Sequence, residues 1–191
     1  MKNHVKSVRS TSVIGLLIAL MTTQCYAVNN SDNIDLELWH DIITADFFSS
    51  IGGPGKYTAG TGDGVGPSYI FVVDPPPDDP ERILSISVVI APGGVLIDPS
   101  TYEQAITATP PNERMRDFPN LGARAMMIPP LFGPGGSSFG VLSTTKDQRY
   151  DLRVTILDGG TTSKFVVEPI DPIDISALLH KTYESMVGQT D

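Results

Sequence analysis

The 191-residue chain contains a single cysteine, Cys25, which lies in an N-terminal segment with the features of a secretion signal. Once that segment is removed, the remaining chain has no thiol and can form no disulfide bond. Its stability must then come from packing, even in an oxidising compartment. A bacterial periplasm therefore fits the composition better than an extracellular environment in which small domains are rich in disulfides.

The signal features are the three-part order that secretory segments share. Lys2, Lys6 and Arg9 precede an apolar run over residues 13–21, and a polar stretch then ends at Ala27. The apolar run is too short to span a bilayer, and no later apolar segment is suited to act as an anchor. The sequence therefore predicts a secreted protein without a membrane span.

Cleavage after Ala27 divides the chain into a signal peptide over residues 1–27, a disordered leader over residues 28–33 and a single domain over residues 34–191. A lipid anchor at the cysteine is the alternative. Gln24 stands immediately before that cysteine, where lipid-attachment signals require a small residue. We therefore favour cleavage after Ala27.

Basic residues are scarce outside the signal. The signal holds three of the thirteen Lys and Arg residues and none of the twenty-two Asp and Glu residues, so ten basic and twenty-two acidic residues remain, a net charge of −12. The densest basic group, Arg114, Arg116 and Arg124, is diluted by Glu113 and Asp117. Because phosphate binding needs clustered cations, no nucleic-acid partner is predicted. The charge suits a basic partner or cations, or serves solubility alone.

The glycine-rich segment over residues 52–67 does not form a nucleotide-binding motif. It contains seven glycines and Lys56, but Tyr57 follows that lysine where a phosphate-binding loop needs Ser or Thr. A predicted helix also precedes the segment, where such a loop needs a strand. We expect a flexible loop, with a mobile lid over a binding surface as the open alternative, and no cofactor is predicted.

An acidic loop, defined here as residues 74–82 (DPPPDDPER), lies between two predicted strands. Its prolines favour an extended conformation, and Asp74, Asp78, Asp79 and Glu81 give it a strong negative charge. The spacing lacks the alternating oxygen ligands and the glycine of a calcium-binding loop. The segment is therefore predicted to be a solvated hairpin tip, and no metal-binding residues are predicted.

Residues 136–140 satisfy the G-x-S-x-G pattern of a hydrolase nucleophile elbow, with Ser138 as the nucleophile and His180 as a conceivable base. That motif must turn from a strand into a helix, whereas the residues after this one continue as a strand. His40 and Asp41 are neighbours on a predicted helix and so point in different directions, which favours solvated surface positions. We therefore predict no catalytic residues.

The clearest structural signal is a β-hairpin over residues 139–157. Apolar and polar side chains alternate along its second arm, as they do in a strand with one buried face and one solvent-exposed face. A polar link over residues 146–149 joins that arm to the first. The set predicted to be buried is Tyr150, Leu152, Val154 and Ile156, and the set predicted to face water is Asp151, Arg153 and Thr155.

An N-terminal helix is predicted over residues 34–51 because apolar residues recur there at helical spacing. Asp32 or Asn33 can cap its start, and Gly52 can end it. The apolar face is wide, so the helix should lie against a sheet. The residues of this face are Ile34, Leu38, Trp39, Ile42, Ile43 and Phe47.

Two later helices have clear end signals. Asp98 and Asp171 can cap them, and each is followed by a proline suited to the first helical position. In the closing helix, which ends at Gly188, His180 falls off the apolar stripe and is predicted to face water. The inward residues are Tyr102, Ala105 and Ile106 in the earlier helix, and Ile175, Leu178, Leu179, Thr182, Tyr183, Met186 and Val187 in the closing one.

Further strands are predicted over residues 68–73, 83–90 and 163–168. With the hairpin they place strands between an N-terminal and a C-terminal helix, and an antiparallel sheet must bury its apolar face under helices. The predicted fold class is α+β, with an antiparallel β-sheet of five or six strands packed against the N-terminal and C-terminal helices.

The order of the C-terminal elements resembles a known family. FGVLSTTKDQRYDLRVTIL is followed by SKFVVEP and then by DPIDISALLHKTYESMV. This pattern is similar to the C-terminal half of PsbP-like sandwiches, which occur in small secreted accessory proteins and lipoproteins. The resemblance implies a binding or assembly factor without catalytic residues.

These observations favour a secreted, periplasmic, non-catalytic binding or accessory protein that acts through protein–protein contacts at its acidic loops. The alternative is a periplasmic inhibitor or immunity-type protein that neutralises a toxic basic enzyme. A hydrolase that uses Ser138 is the third class. The sequence leaves open the identity of the partner and the oligomeric state.

Overall fold

The parts of the chain that a computed structural model describes are residues 34–61, 65–108, 118, 120–133, 136–159 and 170–188. The predicted signal peptide and leader, the strand predicted over residues 163–168, and two members of the basic group, Arg114 and Arg116, lie outside these ranges.

The described residues form four helices and six strands. The helices are α1 (Leu36–Ile42), α2 (Ala45–Gly52), α3 (Pro99–Thr107) and α4 (Pro172–Val187). The strands are β1 (Gly55–Thr61), β2 (Pro67–Val73), β3 (Ile83–Pro92), β4 (Arg124–Gly133), β5 (Gly136–Thr144) and β6 (Tyr150–Gly159). They form one antiparallel sheet in the order β1-β2-β3-β6-β5-β4, which confirms the predicted α+β class.

Two three-stranded meanders meet at the centre of this sheet, where β3 pairs with β6. The pairing extends from Ile83 opposite Gly159 to Pro92 opposite Tyr150. Strands β1 and β2 continue the sheet on one side, and β5 and β4 continue it on the other. The β3–β6 pairing therefore joins the N-terminal half of the domain to the C-terminal half.

The inner face of the sheet, defined as the face that the helices cover, carries the hydrophobic core. Val88, Val154 and Val141 lie side by side across β3, β6 and β5, and all three are fully buried. Helix α2 packs on β1 and β2, and α4 packs on β5 and β6. The buried alternation predicted along β6 is confirmed.

An aromatic cluster connects three elements in this core. The indole of Trp39 in α1 stacks on the ring of Tyr183 in α4, with ring centres 5.2 Å apart. Tyr150, at the start of β6, meets both rings edge-on at 5.5 and 5.6 Å. Such ring pairs contribute about 0.5–1.5 kcal/mol beyond the burial of their area. The cluster therefore fixes α1 against the hairpin and α4.

The N-terminal helix is two helices, so the single helix predicted over residues 34–51 is wrong. Asp35, not Asp32 or Asn33, caps α1 by accepting a hydrogen bond from Leu38 N. The chain leaves the helical path after Ile42, and Thr44 caps α2 by accepting from Phe47 N. Ile42, Ile43 and Thr44 are three consecutive β-branched residues, which have low helix propensity. Threonine is also favoured as an N-cap, so a new helix begins here.

The glycine-rich segment is also different from the prediction of a flexible loop. Residues 55–61 form the edge strand β1, which pairs with β2 along its length. A Cβ atom at Gly55 would lie 2.6 Å from the ring of Phe71, so glycine serves close packing there. The hydroxyl of Tyr57 donates a hydrogen bond to the carbonyl oxygen of Ile43 at 2.8 Å. The first contact packs β1 on β2, and the second ties β1 to the residue between α1 and α2.

Asp151 is fully buried, although the alternation of the hairpin predicts a wet position. Its carboxylate accepts hydrogen bonds from Leu96 N at 2.9 Å, from Ile97 N at 3.1 Å and from Thr144 Oγ1 at 2.7 Å. The segment before α3 thus covers this end of the outer face, defined as the face opposite the helices. A buried carboxylate is tolerated there because hydrogen-bond donors satisfy it.

The ends of the two later helices agree with the predictions, but part of their inward faces does not. Asp98 and Asp171 cap α3 and α4. Tyr102 is buried, whereas Ile106 and Leu178 are exposed by 37% and 39%. None of the helices in the described residues is both long enough and apolar enough to cross a membrane.

Substituting Val154 tests the assignment of the two faces. Val154→Asp should lower the free energy of unfolding by about 3 kcal/mol or more, because it places a carboxylate among apolar side chains. The matched variant Leu157→Asp, on the same strand at a side chain 43% exposed, should cost less than about 1 kcal/mol. Urea unfolding at neutral pH measures both values. Equal losses would contradict this register.

Candidate functional site

The residues of the G-x-S-x-G pattern do not form a hydrolase site. Ser138 lies within β5 opposite Leu157 of β6, on the outer face, and β5 continues as a strand to Thr144. His180 lies on the inner face, where it contacts Ser143. A strand in place of the required helix confirms that the motif is no nucleophile elbow. The two residues that it pairs are separated by the sheet.

The predicted surface positions of His40 and Asp41 are confirmed, since both side chains are exposed. The ring of His40 lies edge-on to Tyr69, with 5.7 Å between the ring centres. Within the described ranges, no three side chains among His, Cys, Asp and Glu are placed to hold a metal ion.

His180 is buried, so the prediction that it faces water is wrong. Its Nε2 atom lies 2.9 Å from Ser143 Oγ, which lies 2.9 Å from Ser176 Oγ. Ser176 precedes His180 by one helical turn, so both side chains face β5. Polar groups are tolerated in this interior because they form hydrogen bonds with one another. The spacing of apolar residues in the sequence does not reveal these hydrogen bonds between polar side chains.

Ser143 and His180 have the separation of a nucleophile and its base, but their surroundings exclude this role. Ser143 has no exposed surface, and its backbone is paired on one side with Ala125 and on the other with Leu152. A substrate carbonyl cannot reach this oxygen without opening the sheet from α4. The Ser143–His180–Ser176 cluster therefore serves the packing of α4 on β5.

Burial of the imidazole lowers the pKa of His180 to about 4. The carboxylates of Glu184 and Asp147 act in the opposite direction, and the ammonium of Lys146 adds to the lowering. The imidazole is therefore neutral at neutral pH.

The link between the hairpin arms holds α4 through two polar contacts. The hydroxyl of Tyr183 donates to Asp147 Oδ2 at 2.7 Å, and Lys146 Nζ forms an ion pair with Glu184 Oε2 at 2.9 Å. Burial raises the pKa of Asp147, but hydrogen bonds from Thr145 and Tyr183 outweigh it, so the pKa is lowered. These contacts orient α4 against the hairpin.

The acidic loop is a solvated hairpin tip, as predicted. Asp74, Asp78 and Glu81 are exposed. A bidentate ion pair fixes the base of the loop. Arg82 Nε and Nη2 donate to the two carboxylate oxygens of Asp158 at 3.0 and 2.9 Å. Both of these side chains are largely buried, and an Arg–carboxylate pair of this geometry is among the stronger ionic contacts. The negative charges are therefore presented from a fixed base.

An outer strip of apolar side chains lies beside this loop on the outer face. Val72 of β2 and Leu157 of β6 flank Ser85 of β3 in the same row of the sheet. The acidic loop leaves β2 just after this row and re-enters the sheet at the start of β3. The strip consists of Ile70, Val72, Ile83 and Leu157, exposed by 42%, 41%, 55% and 43%.

Sequence reasoning missed the outer strip, although β2 carries a signal for it. Tyr69 and Phe71 fill the inner face, while Ile70 and Val72 between them are also apolar. A strand with one wet face reads as an alternation of apolar and polar residues, and β2 does not. Exposed apolar groups that collect in one place commonly mark an interaction surface.

No protein-family model, no curated protein and no solved structure matches this chain.

The burial of His180 predicts a loss of stability in mild acid. Its pKa is about 4 in the folded chain and near 6.5 when exposed, so the unfolded chain binds the proton more readily. The contribution of the neutral imidazole is complete above pH 6.5, falls as the pH drops toward 4, and amounts to a loss on the order of 3 kcal/mol.

Urea unfolding of the native protein and of His180→Gln between pH 7.5 and 4 separates this effect from other groups. Glutamine keeps a hydrogen-bond partner for Ser143 but does not titrate, so the stability of this variant should change less between pH 6.5 and 4. The lowered pKa values of Asp98 and Asp147 act at lower pH in both proteins. Parallel pH profiles for the two proteins would contradict the assignment.

Proposed function

We propose that this chain is a secreted, non-catalytic binding protein that meets a basic partner protein through the acidic loop and the outer strip. The observation that supports this most strongly is the position of the strip. Four large apolar side chains, each exposed by two fifths or more, lie next to a loop that carries Asp74, Asp78, Asp79 and Glu81.

The two parts of this surface have different physical roles. The exposed carboxylates accelerate the encounter with a positively charged protein, because long-range attraction acts mainly on the association rate. The apolar strip loses water only after contact, so it acts mainly on the dissociation rate. A partner with apolar residues surrounded by Lys or Arg fits both parts.

The charge of the chain favours a different protein as the partner over a second copy. The full sequence has a net charge of −9, and removal of the predicted signal makes it −12. Two copies that met through this surface would bring their acidic loops together, and like charges at close range oppose association.

The arrangement of polar side chains supports the non-catalytic part of the proposal. In the part of the chain that the structure describes, Ser143 of β5 and Ser176 of α4 are buried between the sheet and the helix, and Ser138 is separated from His180 by the sheet. An inhibitor of a toxic basic enzyme remains the second candidate. It would use the same surface, and only the identity of the partner distinguishes it.

Charge neutralisation tests the proposal. Residues 28–191 are immobilised, and a protein that binds them is purified from an extract of the native envelope. The association and dissociation rates of this protein are then measured at several salt concentrations. Neutralising Asp74, Asp78, Asp79 and Glu81 to Asn or Gln should slow association, and the native rate should fall with rising salt because the screening length is about 8 Å at 0.15 M. Leu157→Asp should instead accelerate dissociation.

The control variant removes the same charge elsewhere, from exposed acidic residues of the helices: Glu37, Asp41, Asp46 and Glu103. Its association rate should stay closer to that of the native protein than the rate of the loop variant does. Equal slowing by both sets would assign the effect to net charge alone and remove the acidic loop from the proposal. A stable dimer in analytical ultracentrifugation that Leu157→Asp dissolves would replace the basic partner with a second copy.

A further inference from the structure

The two edge strands of the sheet, β1 and β4, differ in how far their outward backbone groups are occupied. In the described sheet, β1 pairs with β2 alone and β4 pairs with β5 alone. Each edge strand therefore has a row of N–H and C=O groups that point away from the sheet. Such a row can accept a further strand unless the chain blocks it.

The hydrogen bonds of the β1–β2 ladder identify which residues of β1 point outward. Asp74 N donates to the carbonyl oxygen of Pro54 at 2.9 Å, just outside the ladder. Hydrogen-bonded and non-hydrogen-bonded pairs alternate along an antiparallel ladder. Counting from this pair, the residues that bond to β2 are Lys56, Thr58 and Gly60.

The residues between them, Gly55, Tyr57 and Ala59, direct their N–H and C=O groups away from β2. Within the described residues, none of these backbone groups has a hydrogen-bond partner. Gly55 and Ala59 are exposed, and Tyr57 is half-buried. The register is continuous from Gly55 to Thr61, and the strand contains no proline. The edge of β1 is therefore straight and open.

The edge of β4, in contrast, is blocked at two places. The N–H of Ala125 donates to the hydroxyl of Tyr102 in α3 at 3.4 Å. Farther along, the register with β5 shifts between Ile128 and Leu131, and the two residues between them are prolines, which have no N–H to donate. Bulges, prolines and covering elements are the devices by which proteins protect an edge from added strands. Only one edge of the described sheet has them.

The acidic loop lies at one end of the open edge. Asp74, its first residue, bonds to Pro54, which directly precedes β1. A strand added antiparallel to β1 would therefore have its C-terminal end beside the carboxylates of the loop, which favour Lys or Arg there. Lys56 is the single charged residue of β1, so the rest of the edge suits uncharged side chains. The negative charge of the chain disfavours a second copy in this position.

We propose that the edge of β1 binds an extended segment of the basic partner protein as an added strand of the sheet. The segment runs antiparallel to β1 and carries Lys or Arg at its C-terminal end, beside the acidic loop. Its main chain bonds to Gly55, Tyr57 and Ala59, and an apolar side chain on the inner face packs on the ring of Tyr57. This inference rests on the proposed function for the charge of the partner and adds the form in which the partner binds.

Amide hydrogen exchange of residues 28–191, followed by NMR, tests whether the edge is open. The outward amides of Tyr57 and Ala59 should exchange rapidly in the free protein. The inward amides of Lys56, Thr58 and Gly60 should be protected, so neighbouring residues of one strand serve as controls for each other. Equal protection of the two sets would overturn the open edge and the proposal with it.

Strand addition is tested by NMR titration with the acetylated and amidated peptide TVTVTKK. The matched probe is the same peptide methylated at every amide nitrogen, which keeps the side chains and the charge but cannot donate main-chain hydrogen bonds. TVTVTKK should produce saturable shifts at Tyr57 and Ala59 and slow their exchange, and the methylated peptide should not. The reversed peptide KKTVTVT should bind more weakly, because its lysines lie away from the acidic loop. Equal or tighter binding of KKTVTVT would overturn the antiparallel arrangement.

Substitutions at one outward position provide a second test. Ala59→Pro removes an outward N–H and should weaken the binding of TVTVTKK by about fivefold or more, since one hydrogen bond is lost. Proline is tolerated on an edge strand where the N–H faces solvent, and urea unfolding verifies that this variant is folded. Ala59→Val keeps the N–H and should bind the peptide as the native protein does. Equal binding by the two variants would overturn the proposal.

The strand site is also overturned by the absence of saturation with TVTVTKK, by equal binding of the methylated peptide, or by shifts at Ala125 in β4 in place of β1. If one of these results is found while the purified partner still depends on the acidic loop and on Leu157, the proposed function stands and only the added strand is lost. Binding of TVTVTKK at β1 with a partner that ignores the acidic loop would have the opposite meaning. A dimer that Ala59→Pro dissolves would replace the partner's segment with a second copy.

Discussion

The pairing of β3 with β6 is the constraint on which the rest of this structure depends. Each strand belongs to a different meander, and the ladder between Ile83–Pro92 and Tyr150–Gly159 is where the two meanders become one sheet. The inner side chains in the middle of this ladder are buried to 1% exposure or less: Ile86, Val88, Ile90, Leu152, Val154 and Ile156. Closing a long loop costs entropy before contacts repay it, so the pairing needs such a well-buried face.

The polar groups of the interior follow from this arrangement. Where the hairpin ends at the link, Asp151 holds the segment before α3 on the outer side, and His180 with its two serine partners holds α4 on the inner side. His180, which the sequence offers as a conceivable base, therefore acts as a hydrogen-bonding partner between elements. The outer strip and the acidic loop take no part in these contacts, and the side chains of the strip stay exposed.

Local signals in the sequence predicted those parts of the fold that local interactions determine. The alternation of the hairpin and the caps Asp98 and Asp171 were assigned correctly because each depends on neighbouring residues. The burial of Asp151 and His180 was missed because it depends on partners from distant elements. Glycines in β1 suggested flexibility, whereas Gly55 allows a strand to approach Phe71. The outer strip could not be predicted because its residues come from three strands, and they are brought together only by strand pairing, which the sequence alone does not reveal.

In the proposed function, the outer face of the sheet is the surface for a protein partner, and the helical face serves the packing of the core. Hydroxyl-radical labelling of side chains, with and without the purified partner, tests this division directly. Labelling of Ile70, Val72, Ile83 and Leu157 should fall in the complex, while labelling of Leu178 on α4 should not change. Unchanged labelling of the outer strip, with protection of α4 instead, would contradict the account.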